Sequence, residues 1–334
     1  MSKVLLTGVA GFIGSHTLEH ILVNTDWDVV GVASWKHKGC PERIEEIVRQ
    51  YKDRVEIITH DLSAPFTEQT KKRIGYCDYI LNVAADSHVD RSITDPVPFV
   101  QNNVAVALNM LELAREMKPK SFIQVSTDEV YGAAPDNVNH PEWSTILPSN
   151  PYSASKACQE AIAISYWRTY GVPVVITNTM NNVGQRQDKE KFVAKVIDKV
   201  IKNEVVPVHG TKEHIGSRYY LHARNHADAM LFVLQNLPPT LYEDGKVDRP
   251  DRYNIVGDRE LNNLEMAKLI AGILDKPLKY ELTDFHGVRP GHDRRYALDG
   301  KKLKDLGWTP PVGLEESLKS CVDWSLKPEN KIWL

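Results

Sequence analysis

Thr7-Gly8-Val9-Ala10-Gly11-Phe12-Ile13-Gly14 is the stretch that decides the fold. It follows the apolar run KVLL (residues 3–6) and opens a longer segment with helical spacing, so its glycines fall at a strand-to-helix turn. Glycines there permit a tight turn, close approach of a pyrophosphate to the backbone, and close packing of the helix, whose N-terminus favours the anion. The GxxGxxG spacing is weak by itself; its place between strand and helix gives it force. Gly8, Gly11, Phe12, Ile13 and Gly14 are the first candidate cofactor contacts.

Further β-rich runs continue the pattern: DVVGVA (28–33), VEII (55–58), YILNVA (79–84), SFIQVS (121–126) and PVVIT (173–177). Between them lie helical patterns such as Val104, Leu108, Leu111, Leu113 and Ala114, closed by Lys118-Pro119. Such alternation predicts an α/β fold, a Rossmann-type doubly wound parallel sheet covered on both faces. Beyond residue 177 the spacing becomes irregular and Pro/Gly-rich connectors appear, which reads as a smaller C-terminal α/β substrate lobe. The expected division is 1–177 for the dinucleotide domain, with 217–257 returning to it, and 178–216 plus 258–334 for the lobe. Ligands of open α/β folds bind at the carboxyl edge of the sheet, beneath such a lobe.

Composition agrees with a small-molecule partner. Of 334 residues, 41 are Lys or Arg and 44 are Asp or Glu, giving a formal charge of -3 without long blocks of one sign. Nucleic acid and membrane surfaces are therefore disfavoured as partners. Cys40, Cys77, Cys158 and Cys321 form no CxxC pair and no zinc-spaced cluster, so neither a disulfide framework nor a metal is expected, and the location expected is cytoplasmic. The apolar N-terminal stretch is short, broken by glycines and without a cleavage pattern, unlike a signal sequence.

A dinucleotide fold usually places Asp or Glu at the end of the second strand for the ribose hydroxyls. Here that strand ends Val32-Ala33-Ser34-Trp35-Lys36-His37-Lys38. A hydroxyl on Ser34 and cations beginning with Lys36 suit a 2'-phosphate, so NADP is expected over NAD. Asp61 and Leu62, after the third strand, fall where adenine should lie.

Tyr152-Ser153-Ala154-Ser155-Lys156 puts a phenol and an ammonium one helical turn apart, on one face. The cation is expected to lower the tyrosine pKa, so that the phenol can take a proton from a sugar hydroxyl as hydride leaves the same carbon. Tyr242 and Lys246 repeat the spacing in a Gly-containing loop and read as coincidence. Ser126-Thr127-Asp128-Glu129-Val130-Tyr131-Gly132 ends the fifth strand at the ligand edge. Asp128 and Glu129 can serve one substrate only where the chain has left strand geometry, and differing surroundings would separate their pKa values into an acid and a base.

With Asn181-Asn182-Val183-Gly184 and Arg289-Pro290-Gly291-His292-Asp293-Arg294-Arg295-Tyr296, these motifs resemble the extended short-chain dehydrogenase/reductases of the NAD(P)-dependent epimerase/dehydratase family, dTDP-glucose 4,6-dehydratases above all. Ala84-Ala85-Asp86-Ser87-His88-Val89-Asp90-Arg91-Ser92 and Glu190-Lys191-Phe192 fit too, so the likeness spans the chain in order. Related epimerases and decarboxylases typically replace one or both acids of the Thr-Asp-Glu triplet, which favours dehydration.

The resemblance implies a hydro-lyase acting on a nucleotide-diphosphate hexose. Tyr152, with Thr127 and Lys156, would remove the 4-hydroxyl proton, Glu129 the C5 proton, and Asp128 would protonate the departing C6 hydroxyl. It also implies substrate contacts from Ser87, Asn181, Asn182, Lys191, Arg218, Asn254, Arg289 and His292, cofactor contacts from Ala84 and Asn103, and a homodimer. Departures stand at Ala33, at Asp86 where Glu is usual, and at Gln185, which replaces Pro and is expected to loosen a loop. Met180 and Val183 also differ, leaving sugar and base open. An epimerase or decarboxylase shares the oxidation step; a non-catalytic NADP-sensing protein would commonly have lost the Tyr/Lys pair.

Overall fold

The computed structural model of the chain describes residues 1–36, 38–284 and 291–334. Its first half runs β1 (Lys3–Thr7), α1 (Phe12–Asn24), β2 (Asp28–Ala33), α2 (Glu45–Gln50), β3 (Val55–Thr59), α3 (Glu68–Ile74), β4 (Tyr79–Asn82), α4 (Val89–Thr94), α5 (Pro96–Met117), β5 (Ser121–Thr127), α6 (Pro151–Tyr170) and β6 (Val174–Thr179). The second half runs β7 (Asn181–Val183), α7 (Phe192–Ile201), β8 (Val206–His209), β9 (Ser217–His222), α8 (Ala223–Asn236), β10 (Asp251–Ile255), β11 (Glu260–Asn262), α9 (Asn263–Ile273), β12 (Tyr280–Thr283) and β13 (Arg295–Tyr296). Helices Lys301–Asp305 and Leu314–Ser325 follow.

Seven strands form one parallel sheet in the order β10-β6-β5-β4-β1-β2-β3. Side chains of a strand alternate faces, and the core divides accordingly. Val4, Leu6, Val29, Leu81, Ile123 and Val175 join Leu18, Ile21 and Met230 of α1 and α8. Leu5, Val30, Ile80, Phe122, Val174 and Ile176 meet Met110, Leu111 and Trp167 of α5 and α6 on the other face. Burial on both faces explains why these strands read as apolar runs rather than alternating ones.

The helix ends follow local chemistry. Lys118 caps α5 in the left-handed region at φ 56. Pro151 opens α6, whose N-cap Asn150 forms a reciprocal capping box with Ser153, and Gly171 at φ 67 stops it.

Within 217–257, β10 joins the seven-stranded sheet and α8 packs on it, while β9 lies elsewhere. It pairs with β7, β11 and β13 in a separate small sheet. Its consecutive residues Tyr220 and Leu221 face different cores, so a strand pattern alone could not assign it. A third core, including Val196, Ile197, Val208, Met266, Ile270 and Leu318, holds this lobe together. No described helix is long and apolar enough to cross a membrane.

Candidate active site

The parallel sheet brings the ends of β1, β2, β4, β5 and β6 to one edge. After β1, Gly8 has φ +66, and a Cβ on Gly14 would lie 2.0 Å from the Gly8 carbonyl oxygen. Both positions therefore require glycine, the first for backbone conformation and the second for helix-to-turn contact. Gly11 N–H donates to Gly8 O at 2.8 Å, and no side chain caps α1. The first-turn N–H groups of Phe12, Ile13 and Gly14 thus border a cradle suited to a diphosphate. Ala84 forms its opposite wall, its N–H held by Thr7 Oγ1 at 3.0 Å, and a Cβ on Gly8 would come within 3.0 Å of Ala84 Cα. A dinucleotide fits the backbone this chain presents.

At the end of β2, Ala33 is buried, while Ser34 and Lys36 are exposed. Trp35, at φ 55, donates its indole N–H to Thr59 Oγ1 at 2.8 Å. Lys36 pairs with Asp61, and that bond with those from Ser63 holds the Asp61 carboxyl down at about 2. Leu62 is buried behind it. Lys38 pairs with Asp188 at 2.9 Å and Glu190 at 3.3 Å. Both described cations of this loop thus already face carboxylates.

Beyond β5 the chain leaves strand geometry at once: Asp128–Tyr131 is a 3-10 turn. Thr127 Oγ1 donates to Asp128 Oδ1 at 2.8 Å and accepts from Glu129 N–H at 3.3 Å. Asp128 is 4% exposed, and burial followed by the neighbouring Glu129 charge pushes its carboxyl up to about 7. Glu129 is also raised by burial, though Asn150 Nδ2 donates to its Oε2 at 3.2 Å and Tyr296 Oη at 3.4 Å. The two acids share a turn but have different partners.

Tyr152 and Lys156 open α6 beside this turn. The expected lowering of the Tyr152 pKa is not what this arrangement produces. Burial, then the Glu129 and Asp128 charges, hold the phenol well above its usual value, with the Thr127 hydroxyl opposing. The Lys156 ammonium donates to Val125 O at 2.7 Å and Gln159 Oε1 at 2.6 Å. Burial pulls Lys156 down to about 8. The second Tyr/Lys spacing lies on the surface, where Tyr242 Oη donates to Asp244 and Lys246 pairs with Glu243.

Around the reactive turn, Lys191 is desolvated and pulled below its ordinary value, Glu129 being the first group to oppose the shift. Arg218 is 8% exposed, donates to the carbonyls of Ser217, Arg294 and Asp293, and lies 4.4 Å from the Tyr296 ring centroid. His292 bonds Asp90 at 2.9 Å. Ser87 is exposed on the loop after β4 and Asn181 is exposed at the start of β7; Asn182 donates to Thr179 Oγ1 and Met180 O. Arg289 lies outside the described residues.

Two expected ligand contacts need correcting. Asn103 is 0% exposed: its amide accepts from Asp86 N–H and donates to Asp86 O and Ser155 Oγ, so it ties the loop after β4 to α6. Asn254 is likewise 0% exposed and donates to His140 O and Asp299 O. Neither offers a surface to a ligand. Gln185, expected to loosen its loop, fastens it: its O meets His16 Nε2 at 2.9 Å, its Oε1 meets His222 Nε2 at 3.0 Å, and its amide donates to Ser320 at 2.9 Å.

Sequence reading missed Asn150, which caps α6 while donating to both Glu129 and Gly291 O. The Asn-Pro-x-Ser capping pattern before Tyr152 was the available signal. Tyr296 lay inside a quoted motif, but nothing in the spacing shows that its phenol reaches Glu129.

A family model described as GDP-mannose 4,6 dehydratase matches residues 5–321. The dTDP-glucose 4,6-dehydratase of Neisseria meningitidis is 36% identical, with 100% of this chain and 95% of the relative covered. Escherichia coli K12 dTDP-glucose 4,6-dehydratase 1 is 34% identical, covering 99% and 94%. Among solved structures, the dTDP-glucose 4,6-dehydratase of Streptomyces venezuelae with NAD bound superposes with a TM-score of 0.85 at 30% identity, covering 99% of this chain and 98% of that one. By sequence over nearly its whole length and by fold, this chain belongs to the GDP-mannose 4,6 dehydratase family.

Proposed function

We propose that the protein is a nucleotide-sugar 4,6-dehydratase, an NAD(P)-dependent hydro-lyase converting an NDP-hexose of the dTDP- or UDP-glucose type to the NDP-4-keto-6-deoxyhexose. The observation that carries this is the turn after β5. It holds one carboxyl bonded to Thr127 and another bonded to Asn150 and Tyr296, both within electrostatic reach of the Tyr152 phenol.

The two acids of the turn have roles their surroundings suit. Tyr152, its phenol held high by burial and by those acids with the Thr127 hydroxyl opposing, would take the proton of the sugar 4-hydroxyl once the positive charge of an oxidised nicotinamide, when bound, lowers that phenol. When bound, a nicotinamide would supply hydride chemistry, taking hydride at C4 and giving it back at C6 with no net change of the cofactor. Glu129 takes the C5 proton, made acidic by the neighbouring 4-keto group. Asp128, raised to about 7, keeps a substantial protonated fraction at neutrality and would deliver its proton to the departing C6 hydroxyl.

Gly8, Gly11, Phe12, Ile13 and Gly14 at the α1 N-terminus, with Ala84, would hold the dinucleotide, and Asp61 and Leu62 would meet its adenine. Ser34 and Lys36 meet the ribose, where we place NADP ahead of NAD because no carboxylate ends β2. Residues 1–177 with α8 and β10 would carry the cofactor, and the remainder would capture the sugar nucleotide through Asn181, Asn182, Lys191, Arg218 and His292, with Arg289 and with Ser87 from the cofactor domain. A homodimer through α5 and α6 belongs to the same reading, supported by exposed apolar residues such as Val97 and Leu108 on α5.

Incubation with dTDP-, UDP-, CDP- and GDP-hexoses should give, with at least one, a product lighter by one water. Conversion without loss of water would overturn the reading in favour of epimerisation. Glu129→Gln should leave reduced nicotinamide detectable after addition of sugar while abolishing dehydration; full activity would remove Glu129 from its role.

A further inference from the structure

Behind the reactive turn lies an ion pair sealed from water. Glu160 of α6 and Arg252 of β10 are each 0% exposed, and Arg252 Nη2 donates to Glu160 Oε2 at 2.7 Å. Burying two charges is expensive, and their attraction offsets the cost only with good geometry and further hydrogen bonds. Those bonds exist, and they lead to the site. Arg252 Nη1 donates at 2.8 Å to the phenol of Tyr131, the residue that closes the Asp128–Tyr131 turn. Glu160 Oε1 accepts from Asn178 Nδ2 at 2.8 Å, and the same amide donates at 3.0 Å to the carbonyl of Thr127, the residue that opens it. The guanidinium also lies 4.1 Å from the ring centroid of Trp143, a residue held in the left-handed region at φ 71.

Folding alone is a poor reason for this arrangement. Packed apolar side chains in the same volume would often be as stable or more so, and they would hold neither end of the turn. Glu160 also follows Lys156 by one helical turn on the same face of α6.

We propose that Glu160 and Arg252 are positioning residues for the dehydration, clamping both ends of the segment from Thr127 to Tyr131 against α6 and placing a fixed negative charge beneath Lys156. The proposal rests on the dehydratase reading, since it takes that turn to be the reactive one. Burial lowers Lys156 to about 8, and the Glu160 charge opposes it. Among the described residues no other charge shifts Lys156, and Tyr152 stands one helical turn before it on α6. From α5, β5 and β6 come the amides Asn103, Gln124 and Asn178, which do not titrate, and Asp90 of α4 is bonded to His292.

The test uses the full-length protein with its cofactor. Glu160→Gln with Arg252→Gln removes both charges and leaves no orphan ion. Its kcat should fall at least about tenfold, as loss of alignment in a reacting site commonly costs one to two orders of magnitude. KM for the sugar nucleotide should change less than about twofold, and the alkaline limb of the kcat profile should move to lower pH as Lys156 loses its counter-charge. Arg252→Lys keeps a charge but cannot bridge Glu160 and Tyr131 together. It should lower kcat while leaving the alkaline limb in place, and it serves where the double variant fails to fold. A folded variant of either kind with wild-type kcat and an unmoved limb would overturn the proposal while the dehydratase reading stands. A wild-type protein that dehydrates no sugar nucleotide would overturn both.

Discussion

The floor of the site and its cofactor rim are built on opposite principles. In the floor, Asp128 is 4% exposed, Lys156 3% and Glu160 0%, and their bonds go to fixed atoms of adjoining strands and helices. At the rim, the Lys36 and Lys38 side chains are 57% and 44% exposed, and their partners are carboxylates on other loops. A buried polar group must be satisfied where it stands, whereas an exposed ion pair contributes little and exchanges readily with water or ligand. Substitutions in the floor should therefore act on chemistry and folding, and those at the rim on cofactor choice.

Tyr152→Phe is the sharpest test of the floor and the largest effect expected. It removes one hydroxyl and leaves the ring against Phe99, whose centroid lies 6.3 Å away. Loss of the general acid-base group should lower kcat at least about a hundredfold, with a melting temperature close to wild type. Turnover within about tenfold of wild type would assign the proton transfer elsewhere.

The interior beneath the glycine turn obeys the same rule and carries the next effect. At the contact of α1 with α8, burial lowers His16 and His226 to about 3 and His222 to about 2 from 6.5. A lowered folded pKa means that the unfolded chain binds the proton first. The stability from keeping these rings neutral is fully present above 6.5 and is lost as pH falls towards the folded values. His226 is 0% exposed, and among the described residues neither of its ring nitrogens has a hydrogen-bond partner. His226→Leu should thus be nearly neutral at pH 7.5, since no bond is broken. It should also flatten the fall in unfolding free energy by about 1.4 kcal/mol per pH unit below about 6, measured by urea titration across pH. An unchanged slope would show that the ring is not held neutral.

What the sequence disclosed follows the same division. Strands buried on both faces must be apolar, and the glycine turn has few ways to be built, so β1 to β6 and the positions of Gly8 and Gly14 could be read directly. Tyr152 and Lys156 share a helix, and helical spacing placed them on one face. Asn103 and Asn254 were misread because residue identity does not reveal whether an amide faces a ligand or its own fold, which here means Asp86 O and Ser155 Oγ for Asn103 and the carbonyls of His140 and Asp299 for Asn254. The Glu160–Arg252 pair joins residues far apart in the chain across α6 and β10. In sequence, each looks like an ordinary charge. The Lys36 reading met the same limit in reverse, since the carboxylate missing from the end of β2 has a counterpart in Asp61 beyond β3.

That counterpart makes the rim prediction the smallest. With no acid at Ala33, a 2'-phosphate meets no repulsion at the end of β2, and Lys36 is the described cation placed to receive it. To do so it must leave Asp61, an exposed pair of the kind that contributes up to about 1 kcal/mol. The gain from the phosphate bond is offset by that amount, so NADP should bind more tightly than NAD by less than about tenfold, with the preference shrinking as salt screens the contact. Lys36→Ala should erase the preference by weakening NADP alone, leaving NAD affinity within about twofold. Paired fluorescence titrations of both proteins with both cofactors decide it. Tighter binding of NAD by the wild type would mean that Ser34 and the Lys36–Asp61 pair together serve the ribose hydroxyls that the missing acid usually holds.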